Sequence, residues 1–360
     1  MKLCQTGGNF MINLEDMPEI DAELEMVNEH IERICRSNSS SMQKMLDWVL
    51  KERGKQIRPL LTLLCARLKG KTVDVTEIAA VIEICHTASL IHDDIIDDAY
   101  TRRGQLSVQK KFGREMAVYA GDFMIFAAIS RAGLKKKPYY SSVFGQLERM
   151  CEGEVNQFEH RYDIGITEGK YIENIIGKTS AMFCIACGTG AYEGKCNDNE
   201  ISAAERYAKN FGLVFQLRDD LQDFSPTDEI SKKTVHNDFW CGYYTLPVIH
   251  SFSDCRNGAE LKQIAIDIKN GLYREWTDKR IVELISASGG FRYTLMMLDQ
   301  YAEEAKQGLA VFKDSVAKKK LYELVDTVQR SAHRFVNTSE ECYDSEKKVE
   351  MGFRKNRVCL

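Results

Sequence analysis

The sequence predicts an all-α protein, a single large helical bundle. Three observations carry that reading. Apolar residues recur mostly at spacings of three and four rather than two. Proline is confined to Pro18, Pro59, Pro138, Pro226 and Pro247, each compatible with a helix start or a connection. Strand-like alternation is nearly absent. With 360 residues, 44% of them hydrophobic, the chain has ample material for a large core.

Taken in order, "VTEIAAVIEICHTASLIHDDIIDDA" reads as one long helix, "EISAAERYAKNFGLVFQLRDDLQDF" as a second and "YTLMMLDQYAEEAKQGLAVF" as a third. "KKKPYY", "GKCNDNE" and "SASGG" read as connections, and no repeat of solenoid period is present. The helical domain is expected over residues 1–336. Residues 337–360, polar and charged, are expected as a frayed or disordered tail.

Bulk properties exclude several classes. Net charge is -4 and the sequence pI about 6.1, so no global basic surplus points to a nucleic-acid partner. No apolar run approaches the ~18 residues of a membrane span. The first residues lack a basic start followed by an apolar stretch, so no secretory signal is expected. Twelve cysteines are scattered without regular spacing, and a cytoplasmic chain with reduced thiols is the simplest reading. Cys184 and Cys187 form one C-x-x-C without a second pair nearby, and read as small core residues.

The chemistry is concentrated in two acidic clusters. "SLIHDDIIDDAYTRRG" packs Asp93, Asp94, Asp97 and Asp98 into six positions. Asp93 and Asp97 are four apart and share a helix face, with Asp94 beside them and His86 seven residues back. Carboxylates so close repel, and a bound cation removes that penalty. Hard divalent ions prefer oxygen, and Mg²⁺ takes one or two carboxylates plus waters and substrate phosphates. "FQLRDDLQDF" repeats the D-D-x-x-D spacing with Asp219, Asp220 and Asp223, 126 positions later. The bland alternative is a pair of acidic helix ends or a calcium-binding surface. Two copies, each flanked by core-like residues, favour metals that clamp an oxyanion such as a diphosphate.

Cations follow the same logic. "GKQIRP" supplies Lys55 and Arg58, "TRRG" Arg102 and Arg103, "GKTS" Lys178 with the Thr179 hydroxyl, and "ISKKTVHND" Lys233. Guanidinium forks match phosphate oxygens and lysine adds a point charge. As a set they describe a site for more than one anionic group.

These motifs carry a resemblance. "GKQIRP", "HTASLIHDDIIDDAYTRRG", "AVYAGDF", "CEGEVNQ", "GKTSAMF", "FQLRDDLQDF" and "YTLPVI" together resemble the trans-isoprenyl diphosphate synthases, the polyprenyl synthetase family, over roughly residues 50–250. The resemblance implies an isoprenoid-synthase-type bundle with a central cavity, and a reaction. An allylic diphosphate ionises, the double bond of isopentenyl diphosphate attacks the cation, and a proton leaves. Carried over, Asp93, Asp94, Asp97, Asp219, Asp220 and Asp223 hold Mg²⁺. Arg102, Lys178 and Lys233 contact the allylic diphosphate. Lys55, Arg58, His86 and Arg103 hold the isopentenyl diphosphate, while Thr179, Phe215 and Gln216 lie near the reacting carbons. Family members are usually dimers, and some long-chain synthases pair a catalytic subunit with a small partner. The chain departs from the family at "GYYTLP", where Tyr243 stands in place of a lysine.

Product length is expected to follow side chains N-terminal to the first cluster. Ala88 and Ser89 are small, Cys85 is modest, and Ile82 and Val81 are the first bulkier residues. Asp93 to Ile82 corresponds to about 16 Å of helix. A long-chain product, hexaprenyl to nonaprenyl, is therefore expected, with geranylgeranyl or farnesyl as alternatives. Phe123, Met124 and Phe126 of "GDFMIFAAI" are further candidates for the tunnel floor. Among rival functions, a class I terpene cyclase would share fold and metal clusters but has no use for the second diphosphate site. A non-catalytic partner subunit would be expected to lose aspartates from one cluster, and both are complete.

Overall fold

Apolar residues three and four apart form one side of each helix, and burial of those sides builds the structure. The computed structural model describes residues 14–131, 139–224, 237–272 and 277–356, with most side chains as far as Val336. They divide into two units: residues 1–148, 181–208 and 307–324, and residues 149–180, 209–306 and 325–360.

In the first unit, α1 (Pro18–Ile34) opens with Pro18 and acidic Glu19 and Asp21, which suit a helix N-terminus. It buries Ile20, Leu24, Val27, Ile31 and Ile34, one stripe at three- and four-residue spacing. The α2 helix (Ser40–Lys51) is capped by Ser39, whose side chain accepts from the Met42 amide. Then follow α3 (Ile57–Cys65) and α4 (Thr76–Ile96), whose Ala79, Ala80, Val81, Ile82, Ile84, Ala88 and Ile91 are all buried. A helix apolar on most sides belongs inside a core, and α4 packs against α1 and α3.

A two-stranded antiparallel hairpin, β1 (Thr101–Arg102) and β2 (Gln105–Leu106), interrupts the helices, with Thr101 opposite Leu106 and Arg102 opposite Gln105. The helical periodicity gives no sign of so short an element. It is followed by α5 (Val108–Phe112), α6 (Arg114–Arg131), which packs on α4, and the start of α7 (Tyr140–Glu159). The α9 helix (Ala181–Glu193) packs closely on α3: a Cβ at Gly190 would lie 2.3 Å from the Thr62 carbonyl oxygen.

The second unit holds the end of α7, then α8 (Glu168–Ile175) and a π-helical turn, Ile176–Ser180. The α10 helix (Asp198–Gln222) contributes its second half, burying Phe211, Val214, Leu217 and Leu221. Short α11 (Asn237–Trp240) and α12 (Leu246–Phe252) precede α13 (Gly258–Lys269), α14 (Thr277–Ala287) and α15 (Gly290–Gly308). Finally α16 (Val316–Asn356) contributes Phe335, which meets Phe291 edge-on, as Phe291 meets Phe224.

The three long helices expected from periodicity correspond to α4, α10 and α15. Each unit is discontinuous in sequence, so no composition shift marks a boundary between them. The polar C-terminal stretch lies on α16, which runs to Asn356. It contains no proline and is rich in Glu and Lys, which favour helix. No described helix is long and apolar enough to cross a membrane.

Candidate active site

Asp93 and Asp94 occupy the last turn of α4, and Asp97 caps it, its amide bonded to the Asp93 carbonyl at 2.9 Å. This end of a helix is already partly negative, so three carboxylates there call for cations. Asp94 is 3% exposed and bonds the Arg102 guanidinium, Nε at 2.8 Å and Nη2 on the same oxygen. Burial pushes the Asp94 carboxyl up, and Arg102 opposes that. The hairpin delivers Arg102: its turn residues Arg103 and Gly104 have φ of 51 and 79, the left-handed pair of a mirror-image turn that favours glycine second. This explains R-R-G after the aspartates. Asp93 is half-buried and Asp97 exposed.

Arg58, His86 and Arg103 are brought together in the first unit. The Arg58 guanidinium lies over the Phe183 ring at 4.6 Å, and burial lowers its pKa to about 10, so it keeps its charge at neutral pH. Arg103 donates to the Glu52 carbonyl at 3.0 Å and packs on Gly54, where a Cβ would lie 2.5 Å from its Nη2. Burial, then Arg58, Arg103 and Arg102, hold the His86 ring well below its ordinary pKa, so it is neutral. Lys55 is exposed in the loop before α3.

Further back along α4 lies an apolar cavity of about 400 Å³. Val81, Ile82 and Cys85 line it from α4, Ile129 from α6, Leu147 from α7, and Met182, Ile185 and Thr189 from α9. Ala88 is fully buried, and the Ser89 hydroxyl donates to the His86 carbonyl at 2.8 Å. The candidate floor residues on α6 separate: Met124 is fully buried, Phe123 half-buried, and Phe126 is 67% exposed and absent from the cavity wall. Phe126 sits on the exposed side of α6.

In the second unit, Asp219, Asp220 and Asp223 sit at the C-terminal end of α10. Asp220 is 1% exposed. Its oxygens accept from the Tyr171 hydroxyl and from Gln216 Nε2, the latter at 2.9 Å. Burial, then the Asp238 and Asp223 carboxylates, push its carboxyl well up. Asp219 pairs with Arg218 at 2.8 Å, whose guanidinium lies 4.4 Å from the Phe215 ring. The Asp238 amide donates to Asp223 at 3.3 Å. Thr179 donates to Gln216 Oε1 at 2.8 Å. Lys178, in the π-turn, pairs with Glu154 at 2.8 Å and donates to Gln157 at 3.0 Å. Lys233 lies outside the described residues.

Each cluster thus splits into two more accessible carboxylates four residues apart and a buried middle member with its own partners. Among the described residues, no three His, Cys, Asp or Glu side chains form a ready metal cage. The donor set still suits Mg²⁺, which takes few carboxylates and completes its shell with waters and phosphate oxygens. Sequence reasoning missed Glu83, Tyr171 and Asp238. Only Glu83 left a local signal, as a lone charge inside "AAVIEICHTA".

Known proteins supply the rest of the identification. The polyprenyl synthetase family model matches residues 39–274. A short chain isoprenyl diphosphate synthase of Methanothermobacter thermautotrophicus is 32% identical over 318 residues, covering 86% of this chain and 96% of its own. Heptaprenyl diphosphate synthase component 2 of Geobacillus stearothermophilus is 30% identical over 244 residues, 67% of this chain and 76% of its own. The solved polyprenyl synthase of Caulobacter crescentus, complexed with calcium and isoprenyl diphosphate, has a TM-score of 0.79 and 30% identity, covering 86% of this chain and 95% of that one. The chain belongs to the polyprenyl synthetase family and is a prenyltransferase.

Proposed function

We propose that the protein joins isopentenyl diphosphate head to tail to an allylic diphosphate and repeats the step to make a long chain. In each cycle the allylic C–O bond breaks and its electron pair leaves with the diphosphate. The isopentenyl double bond forms the new C–C bond, and the released diphosphate takes the proton. The observation that carries the reading is a further cation set, Arg58 and Arg103 beside a neutral His86, in addition to the Arg102 that pairs with Asp94. A cyclase that ionises one diphosphate would have no use for it.

Arg102 and Lys178 contact the allylic diphosphate, with Lys233 as a further candidate. Arg58, Arg103 and Lys55 hold the isopentenyl diphosphate, and His86 adds a hydrogen bond rather than a charge. Thr179, Gln216 and Phe215 flank the reacting carbons. Asp93, Asp97, Asp219 and Asp223 hold divalent ions, for which we propose Mg²⁺, while buried Asp94 and Asp220 brace the clusters from behind. The ions supply positive charge to the departing diphosphate.

The cavity beyond Cys85, the small Ala88 and Ser89, and the heptaprenyl relative support a product of hexaprenyl to nonaprenyl length. The short-chain relative favours geranylgeranyl as the second reading. We propose a homodimer, with a separate small subunit as the alternative, since one relative is named as a component. Cysteines scattered without regular spacing fit a cytoplasmic enzyme. The deciding assay incubates the protein with Mg²⁺, farnesyl diphosphate and labelled isopentenyl diphosphate and resolves products by length. A ladder ending between about six and nine units is expected. A cyclic hydrocarbon without isopentenyl incorporation would refute the function, and a four-unit stop would refute the length.

A further inference from the structure

Glu83 has no part in the chemistry above, yet it is buried where burial is costly. It lies on α4 one turn before His86 and is 6% exposed. Its Oε2 atom has no hydrogen-bond partner and no contact with solvent. A carboxylate in that setting persists only beside compensating charge. Burial pushes the Glu83 carboxyl up, and Arg58, from α3, and Arg103, from the hairpin turn, oppose that. Those two guanidiniums repel each other, while Glu83 attracts each of them. Arg58 Nε is itself buried without a partner, and its guanidinium lies over the Phe183 ring. Glu83 and Arg103 line one cleft with Gly54, Gln56 and Thr87.

We propose that Glu83 is a positioning residue for the isopentenyl diphosphate site: its buried carboxylate, set between α3, α4 and the hairpin, keeps Arg58 and Arg103 side by side before the substrate arrives. The proposal rests on the reading of those arginines as the isopentenyl diphosphate ligands. Without an opposite charge between them, two guanidiniums separate, and the diphosphate must reassemble the pair as it binds. Preorganisation of this kind appears in binding of that one substrate. It leaves ionisation of the other untouched.

The test is steady-state kinetics on the full chain with Mg²⁺, varying each substrate separately, for wild type, Glu83→Gln, Glu83→Asp and Arg58→Met. Glu83→Gln is expected to raise KM for isopentenyl diphosphate about tenfold. KM for farnesyl diphosphate and kcat at saturation should stay within about twofold. Glu83→Asp, which keeps the charge, should recover most of the loss. A bare Coulomb effect has the opposite sign, because removing a negative charge tightens anion binding. An isopentenyl KM that falls or stays constant in Glu83→Gln therefore overturns the proposal. So does a joint loss in both KM values and kcat that Glu83→Asp does not relieve, the mark of a structural role. If Glu83→Gln does not fold, Glu83→Met, which also removes the charge, takes its place and must raise the isopentenyl KM selectively. Arg58→Met separates the two failures. If it leaves that KM unchanged, the site reading falls and the proposal with it. If it raises the KM while the Glu83 variants do not, the proposal falls alone.

Discussion

The Thr179 hydroxyl donates to Gln216 Oε1 at 2.8 Å, and the same amide passes the contact on through Nε2 to Asp220. The π-turn after α8 is thereby tied to the buried carboxylate of the second acidic cluster. Tyr171 closes the chain from the other side.

Breaking this chain at its centre should cost rate before stability. Gln216→Leu keeps the side-chain volume but leaves Asp220 to Tyr171 alone. We expect kcat to fall about 10- to 100-fold, within the range for loss of one preorganised polar group. The melting temperature should move little if the apolar replacement packs. A wild-type kcat in a folded variant would show that the network does not serve the reaction.

Filling the cavity should shorten the product. Thr189 lines it from α9, and its hydroxyl is buried without a partner, so the wall there is apolar in all but name. Thr189→Phe and Cys85→Phe should each shift the product ladder down by about one or two isoprene units, since an aromatic ring occupies much of the space one unit needs. Phe126→Ala, at an exposed position, should leave the ladder unchanged. Chromatography of the dephosphorylated products reads both.

His86 makes a prediction about pH. Its ring is held well below the ordinary 6.5, first by burial and then by Arg58, Arg103 and Arg102. The unfolded chain takes up a proton near 6.5 and the native chain does not, so native stability is lost as pH falls below about 6.5. His86→Gln should flatten that part of a melting-temperature profile between about pH 7 and pH 5. An unchanged slope would mean that the ring titrates normally.

Tyr243 replaces the lysine expected from the family resemblance, and the structure puts a cation against it. The Arg161 guanidinium lies 5.4 Å from the Tyr243 ring and 5.3 Å from that of Tyr162, with Nε bonded to the Cys241 carbonyl. If Arg161 carries the missing charge, Arg161→Ala should raise the allylic KM about tenfold and Tyr243→Phe no more than about twofold. Equal effects from the two variants would place the binding contribution on the tyrosine hydroxyl.

Much of the site was legible in the linear chain because its signals are local. Spacing of three and four marks a helix, and Asp93 and Asp97 share a face through one turn. The all-α class, both acidic clusters and the surrounding cations follow from residues that speak to near neighbours. Other features depend on elements far apart in sequence. Tyr171 meets Asp220 across 49 residues, and Arg102 reaches Asp94 only because a hairpin folds back. The cavity needs walls from four helices, and Glu83 acquires its meaning only where α3 and the hairpin bring two arginines to it. Burial decides which carboxylate of each cluster is turned inward and which pair stays accessible. Burial is set by packing between distant segments, and no spacing within one helix encodes it.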